Sequence, residues 1–147
     1  MVAVFRLVDT PIDTTSLRQQ LRCHQAGAFA SFEGWVRANN AGRPVAALTY
    51  EAYAALAGAE GTRLLDEARS RFAIVDALCV HRTGTLQLGE MAVWVGVTAA
   101  HRDAAFAACR WIIDAVKAQV PIWKHEHYAD GLAEWLHPVE GGGSADG

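Results

Sequence analysis

No two cysteines in this chain are close enough in sequence to act as a redox or metal clip. Cys23, Cys79 and Cys109 are widely separated and form no CxxC pair. Cys79 lies in Ala77-Leu78-Cys79-Val80 and Cys109 lies near Phe106 and Ile113, so all three read as small core or near-core side chains in a reducing compartment. No apolar run approaches the roughly 20 residues that cross a bilayer, which excludes a membrane-spanning helix. The start, Met1-Val2-Ala3-Val4-Phe5-Arg6, lacks the apolar stretch and cleavage site of a secretory leader, so a cytoplasmic location is expected. Positive charge is not in excess: 13 Lys and Arg against 16 Asp and Glu give a net charge of -3. That balance excludes bulk nucleic-acid binding through a basic face but leaves room for a local basic pocket that takes a small anion. A P-loop or other glycine-rich phosphate motif is also missing. His125 and His127 share one face of a strand, yet no third ligand is signalled, so no metal site is expected.

What is present describes one globular domain. A length of 147 residues is a single-domain length, and 52% hydrophobic with 20% charged residues is ordinary for a soluble protein with a real core. Residues 1–138 are expected to form that domain. The end, residues 139–147, with its run Gly141-Gly142-Gly143-Ser144, is expected to be a flexible glycine-rich tail.

The hydrophobic pattern predicts a strand over residues 2–8 and a helix capped by Asp13 or Thr14 that runs to about Cys23 with Leu17 and Leu21 inward. A strand over 28–37 and another over 45–53 are expected to pair as a hairpin whose tip carries Arg37, Asn39, Asn40 and Arg43. A long helix follows over 55–72, with Gly58 and Gly61 weakening its first turns. Strands over 74–82 and 91–98 flank a turn-rich segment, residues 83–89. A second long helix covers about Arg102 to Gln119, with Phe106, Cys109, Ile112, Ile113 and Val116 on its sheet-facing side. After the Pro121 stop come a strand over 122–128 and a short run near Trp135. The alternation of elements is α+β, an antiparallel or mixed sheet packed by helices.

Candidate chemistry lies at the ends of these elements. Lys117, in the last helical turn, and Lys124, on the following strand, can converge across the Val120-Pro121 turn. Two readings fit. Either an anion sits between the two cations or one lysine has a lowered pKa and moves protons; or Lys117 complements the helix dipole and Lys124 is solvated. Thr98-Ala99-Ala100-His101-Arg102-Asp103 stands where a strand hands over to a helix. There, unpaired N–H groups offer an anion cradle, or Asp103 simply caps the helix. Arg37, His101, Arg102, Lys117 and Lys124 together, in an acidic chain, suit a phosphate-bearing substrate.

Five blocks carry a resemblance: Phe32-Glu33-Gly34-Trp35-Val36-Arg37; Leu48-Thr49-Tyr50-Glu51-Ala52-Tyr53; Val80-His81-Arg82-Thr83-Gly84; Gly96-Val97-Thr98-Ala99-Ala100-His101-Arg102; and Val120-Pro121-Ile122-Trp123-Lys124-His125-Glu126. In order and spacing the chain resembles the large, catalytic subunit of molybdopterin synthase across roughly residues 28 to 136. The resemblance implies an α/β-hammerhead-type fold and a sulfurtransferase that converts cyclic pyranopterin monophosphate to molybdopterin. It implies that the sulfur comes from the carboxy-terminal Gly-Gly thiocarboxylate of a small ubiquitin-like partner subunit. It also implies a homodimer within a heterotetramer, and no metal or dissociable cofactor.

Carried over position by position, the implied catalytic residues are Lys117 and Lys124. The implied substrate pocket is Arg37, His101, Arg102, Lys117, Lys124, His125 and Glu126. Three positions depart from the family pattern. Ala38-Asn39-Asn40 stands where relatives show Asn-His-Asn; His125 stands where Lys or Arg is common; and the run after Trp135 offers only His137 as a basic group. Other classes consistent with the residues are a non-catalytic scaffold or carrier for the ubiquitin-like protein, a different anion-binding enzyme such as a phosphotransferase, and a structural oligomer subunit.

Overall fold

A computed structural model describes residues 3–131 and 133–136. The chain runs β1 (Val4–Val8), α1 (Thr14–Leu21), β2 (Ala28–Trp35), β3 (Asn39–Asn40), β4 (Arg43–Ala52), α2 (Ala54–Arg71), β5 (Ile74–Arg82), β6 (Gly84–Gln87), β7 (Met91–Ala99), α3 (Arg102–Gln119), β8 (Ile122–Tyr128) and β9 (Ala133–Leu136). The class is the expected α+β. The glycine-rich tail expected at 139–147 and His137 lie outside the described residues.

Two sheets divide the strands. The first has the order β1-β5-β7-β2, with β1 parallel to β5 and the other pairs antiparallel. The second has the order β3-β4-β8-β9, with β6 also paired to β4. The expected hairpin between the strands at 28–37 and 45–53 is therefore not formed. Ala28–Trp35 pairs with β7, Phe29 opposite Thr98 and Phe32 opposite Val95, whereas β4 pairs with β8 in the other sheet. Only the short ladder Asn39↔Pro44 and Asn40↔Arg43 remains of it, closed by Ala41 at φ 51° and Gly42 at φ 82°. The pairing followed burial: β7 is buried along nearly its whole length and needs ladder partners on both edges. The turn-rich segment 83–89 likewise contains a strand, since Thr85 and Leu86 of β6 pair with Thr49 and Leu48 of β4.

β5 is buried on both faces, so its middle, Ala77-Leu78-Cys79-Val80, is apolar at every position rather than alternating. Leu78 and Val80 meet Leu17 and Leu21 of α1 with Trp94, while Ala77 and Cys79 join the main core on the other face beneath α2 and α3. That main core also takes Val45, Leu48, Tyr50, Leu86, Ile122 and Tyr128, so the inner face of the second sheet closes over the first. Asp13 caps α1, its carboxylate accepting from the Ser16 N–H at 3.2 Å. Gly61, which by propensity weakens α2, stands where a Cβ would lie 2.2 Å from Cγ of Phe5; the helix needs a glycine there to approach β1. Phe106 departs from its expected sheet-facing place and is 65% exposed, while Cys109, Ile112, Ile113 and Val116 are buried as the periodicity requires.

The two core thiols are chemically quiet. Burial, and secondarily the neighbouring Cys109, pushes the Cys79 thiol far above its usual range, and burial pushes Cys109 up to about 11. A thiolate is the reactive form, and its fraction falls about tenfold for each pH unit below the pKa. At pH 8 an aromatic disulfide reagent is therefore expected to titrate one thiol, the half-buried Cys23, in the native protein, and all three only in denaturant. Rapid reaction of two or more native thiols would contradict this packing.

Candidate functional site

Alternation along β8 decides which residues of the Pro121–Glu126 block act together. Ile122, Lys124, Glu126 and Tyr128 face inward and are buried, whereas Trp123, His125 and His127 face the other side of the sheet. His125 and Glu126, expected in one pocket, are thus on opposite faces of the strand. His125 stacks on Trp135 with ring centroids 4.3 Å apart and lies 4.5 Å from the His127 ring. His127 Nε2 is 2.9 Å from Oγ1 of Thr49. This outer face is an aromatic and hydrogen-bonded ladder across β4, β8 and β9.

The inward face holds a buried ionic group. Lys124 and Glu126 are both 0% exposed, and Lys124 Nζ lies 3.5 Å from Glu126 Oε1. Asn40, only 6% exposed, donates from Nδ2 to both oxygens of Glu126, at 2.8 and 2.9 Å. Burying a carboxylate and an ammonium costs several kcal/mol per ion, so the pair persists only because each offsets the other and the amide fills the carboxylate's remaining acceptor sites. Within the described residues Lys124 Nζ has no tighter hydrogen-bond partner than that carboxylate. An ammonium carries three donors. The contact of Lys124 with Glu126 Oε1 accounts for one of them.

Lys117 approaches the same region from α3. The helix ends as expected at Gln119, Val120 N–H closing on the carbonyl of Val116 at 3.0 Å, and the chain reverses into β8. Lys117 is half-buried and stands between two spaces. On the outside it lines a cleft of about 390 Å³ between α3 and β2, with Ala30, Phe32, Phe106, Cys109 and Ile113. On the inside it lines a small enclosed space with His81, Val93, Val116, Val120 and Ile122. Ile122 is one inward position from Lys124 along β8, a step of roughly 7 Å. The turn therefore sets Lys117 beside the start of β8, the strand on which Lys124 lies one inward position further along.

His81 was not anticipated as part of this region. It is buried, its Nδ1 is 2.7 Å from the carbonyl oxygen of Arg82, and its ring meets Tyr50 edge-on with centroids 4.9 Å apart. Tyr50 in turn pairs with Lys124 in the β4–β8 register. A carbonyl oxygen only accepts, so Nδ1 is the donor in that contact. Asn40 was read only as a turn residue. No local signal marks it, because its partner Glu126 is 86 positions away.

The remaining expected residues lie apart. Arg37 is exposed in the connection between β2 and β3, where Val36 and Ala38 are fixed by backbone hydrogen bonds to Glu90 and Val45. His101, the N-cap of α3, makes no side-chain capping bond, and it and Arg102 are exposed. At 1.5 Å rise per residue, Arg102 is roughly 22 Å from Lys117 along the helix. Of the expected residues, one chain pairs Lys124 with Glu126, sets Lys117 in the last turn of α3 next to Ile122 of β8, and leaves His101 and Arg102 at the far end of α3.

Comparisons with known proteins bear on this arrangement. The family model described as MoaE protein matches residues 7–119. The molybdopterin synthase catalytic subunit of Thermoplasma volcanium is 41% identical over 129 residues, covering 88% of this chain and 94% of that protein. The same subunit of Pyrococcus abyssi is 50% identical over 105 residues, 71% of each chain. Among solved structures, molybdopterin synthase from Staphylococcus aureus matches with a TM-score of 0.85 at 33% identity, over 92% of this chain and 98% of that one. A complex of subunits 1 and 2 of molybdopterin-converting factor from Helicobacter pylori contains a chain with the same fold, at a TM-score of 0.72 and 20% identity.

Proposed function

Because the chain belongs to the MoaE protein family, we propose that it is the catalytic subunit of a molybdopterin synthase, a sulfurtransferase of molybdenum cofactor biosynthesis. Its substrate is cyclic pyranopterin monophosphate. Its sulfur source is the thiocarboxylate at the carboxy-terminal Gly-Gly of a small ubiquitin-like partner. The observation that supports the reading is the wholly buried Lys124–Glu126 ion pair on β8, the strand that follows the Lys117 turn. A scaffold has no use for an ion pair that costs desolvation energy; a site that must stabilise developing negative charge does.

In each of two rounds a carbon–sulfur bond forms between the thiocarboxylate and the pterin side chain, and a carbon–oxygen bond breaks at the same carbon. At one carbon the ester oxygen leaves with the phosphate, which opens the cyclic phosphate, and at the other a hydroxyl leaves as water. Water then cleaves the acyl–sulfur bond and releases the partner's carboxylate. Negative charge grows on phosphate and enolate-like oxygens, where fixed cations away from bulk water lower the barrier. Lys117, half-buried at the mouth, acts on the reacting centre by giving and taking the proton. Lys124 binds the phosphate or the thiocarboxylate, and Arg37 closes the pocket from the β3 connection.

His101 and Arg102 fit this scheme through a second copy. Their distance from Lys117 within one chain removes them from its site, and their exposure at a helix N-terminus leaves them free to complete the pocket of a partner protomer. A homodimer carrying one small subunit on each half, working in the cytoplasm, is the assembly this reading requires. No helix among the described residues is long and apolar enough to cross a membrane.

The test is conversion. The purified chain, mixed with thiocarboxylated small subunit and cyclic pyranopterin monophosphate, should form molybdopterin, read as its fluorescent oxidation product. A stable complex with the partner and no product would favour the scaffold reading instead.

A further inference from the structure

The second residue of the two-residue strand β3 reaches the buried ion pair from a distant part of the chain. Asn40 is fixed from behind by a tight turn, in which Asn39 Oδ1 accepts the Gly42 N–H at 2.9 Å, and by its ladder partner Arg43 in β4. From that anchored position its amide nitrogen spans both oxygens of Glu126, at 2.8 and 2.9 Å. A carboxylate held at one oxygen swings about its terminal bond; held at both, it has one plane. Oε1 then points at Lys124 Nζ, 3.5 Å away. The lysine ammonium sits on a flexible four-carbon stem and has no orientation of its own. Arg37 lies three residues before Asn40 in the same connection, so one amide joins the segment carrying Arg37 to the strand carrying Lys124.

We propose that Asn40 is a positioning residue for sulfur transfer: by clamping both oxygens of Glu126 it orients the Lys124 ammonium toward the substrate and locks the Arg37 segment against β8. The proposal rests on the reading of Lys124 as a site residue. Glu126, wholly buried and spanned by Asn40, then serves as the link between amide and ammonium.

The experiment compares wild type, Asn40→Ala, Asn40→Asp and the reciprocal pair Asn40→Asp with Glu126→Gln, each as the complex with its small subunit. Two readouts are taken: kcat and KM for molybdopterin formation, and the side-chain ¹H–¹⁵N signal of the Lys124 ammonium, assigned with Lys124→Met. Asn40→Ala is expected to lower kcat about tenfold, the order of one lost hydrogen bond to a charged group, with KM changed less than about twofold, and to move or broaden the Lys124 signal. Asn40→Asp, which sets two carboxylates together, should do at least as much. The reciprocal pair restores an amide–carboxylate bond and should recover activity and signal relative to Asn40→Asp. If Asn40→Ala does not fold, the reciprocal pair against wild type carries the test.

A lowered melting temperature with kcat and the Lys124 signal both at wild-type values would overturn the proposal, because a merely structural amide behaves that way. So would a reciprocal pair no better than Asn40→Asp. If wild type forms no product, the sulfur-transfer reading falls by itself. The Lys124 signal then still decides whether Asn40 orients the ammonium.

Discussion

Lys117→Ala is expected to lower turnover by about two to three orders of magnitude while leaving the fold nearly untouched, since a positioned acid–base or charge-stabilising group contributes that much. The structural cost of the change is small for stated reasons. Lys117 is half-buried in the last turn of α3, where alanine is an excellent helix former and the lost cation weakens the dipole interaction by only about 0.3–1 kcal/mol. A single-turnover assay with preloaded small subunit separates the chemical step from binding. Urea melts on the same preparation give the stability. A rate within a few-fold of wild type would remove Lys117 from the chemistry. A rate loss matched by a comparable loss of stability would make it a structural lysine.

The largest effect on stability is expected at Glu126. Glu126→Leu leaves the Lys124 ammonium buried without its counter-charge and the Asn40 amide without its acceptor. Breaking one side of a buried pair costs about 3–5 kcal/mol, a large fraction of a domain's total stability. Lys124→Met, which replaces the ammonium with an apolar chain of similar length, should cost less, because the carboxylate left behind keeps both bonds from Asn40. The double variant should be more stable than the sum of its single losses, and the coupling energy of that cycle measures the pair itself. Equal losses in both single variants, with no coupling, would mean that the two charges do not interact as their 3.5 Å separation indicates. Well-packed hydrophobic residues often hold such a position with equal or greater stability, so on the proposed reading the charges are retained for the chemistry.

The second effect has its origin in β8. The same alternation that buries Lys124 and Glu126 places His125 on the other face, stacked against Trp135. His125 is therefore on the outer sheet surface, away from the inner face of β8 within one chain.

Much of the molecule was legible as local pattern. The helix expected at Arg102–Gln119 has those bounds, the strand at 122–128 is β8, and the run Ile74–Arg82 is β5. These elements announce themselves because periodicity, a capping position and a proline stop all act within a few residues of the atoms they control. The family blocks were legible too, and the family they pointed to is the one whose model matches residues 7–119.

Tertiary structure alone decided the rest. Ala28–Trp35 left its sequence neighbour β4 for β7, because strand periodicity states which face is apolar but not which edge will supply the ladder hydrogen bonds. Asn40 looked like turn chemistry until its amide met a carboxylate 86 positions away. His101 and Arg102 shared a motif list with Lys117 until the length of α3 set them roughly 22 Å from it. Sequence by itself determined the elements, their apolar faces and the residue types of the site, since those depend on short-range sterics and hydrogen bonding. Which charges are buried together, and which are kept apart, was left to long-range packing, where desolvation sets the energy and no local pattern records the partner.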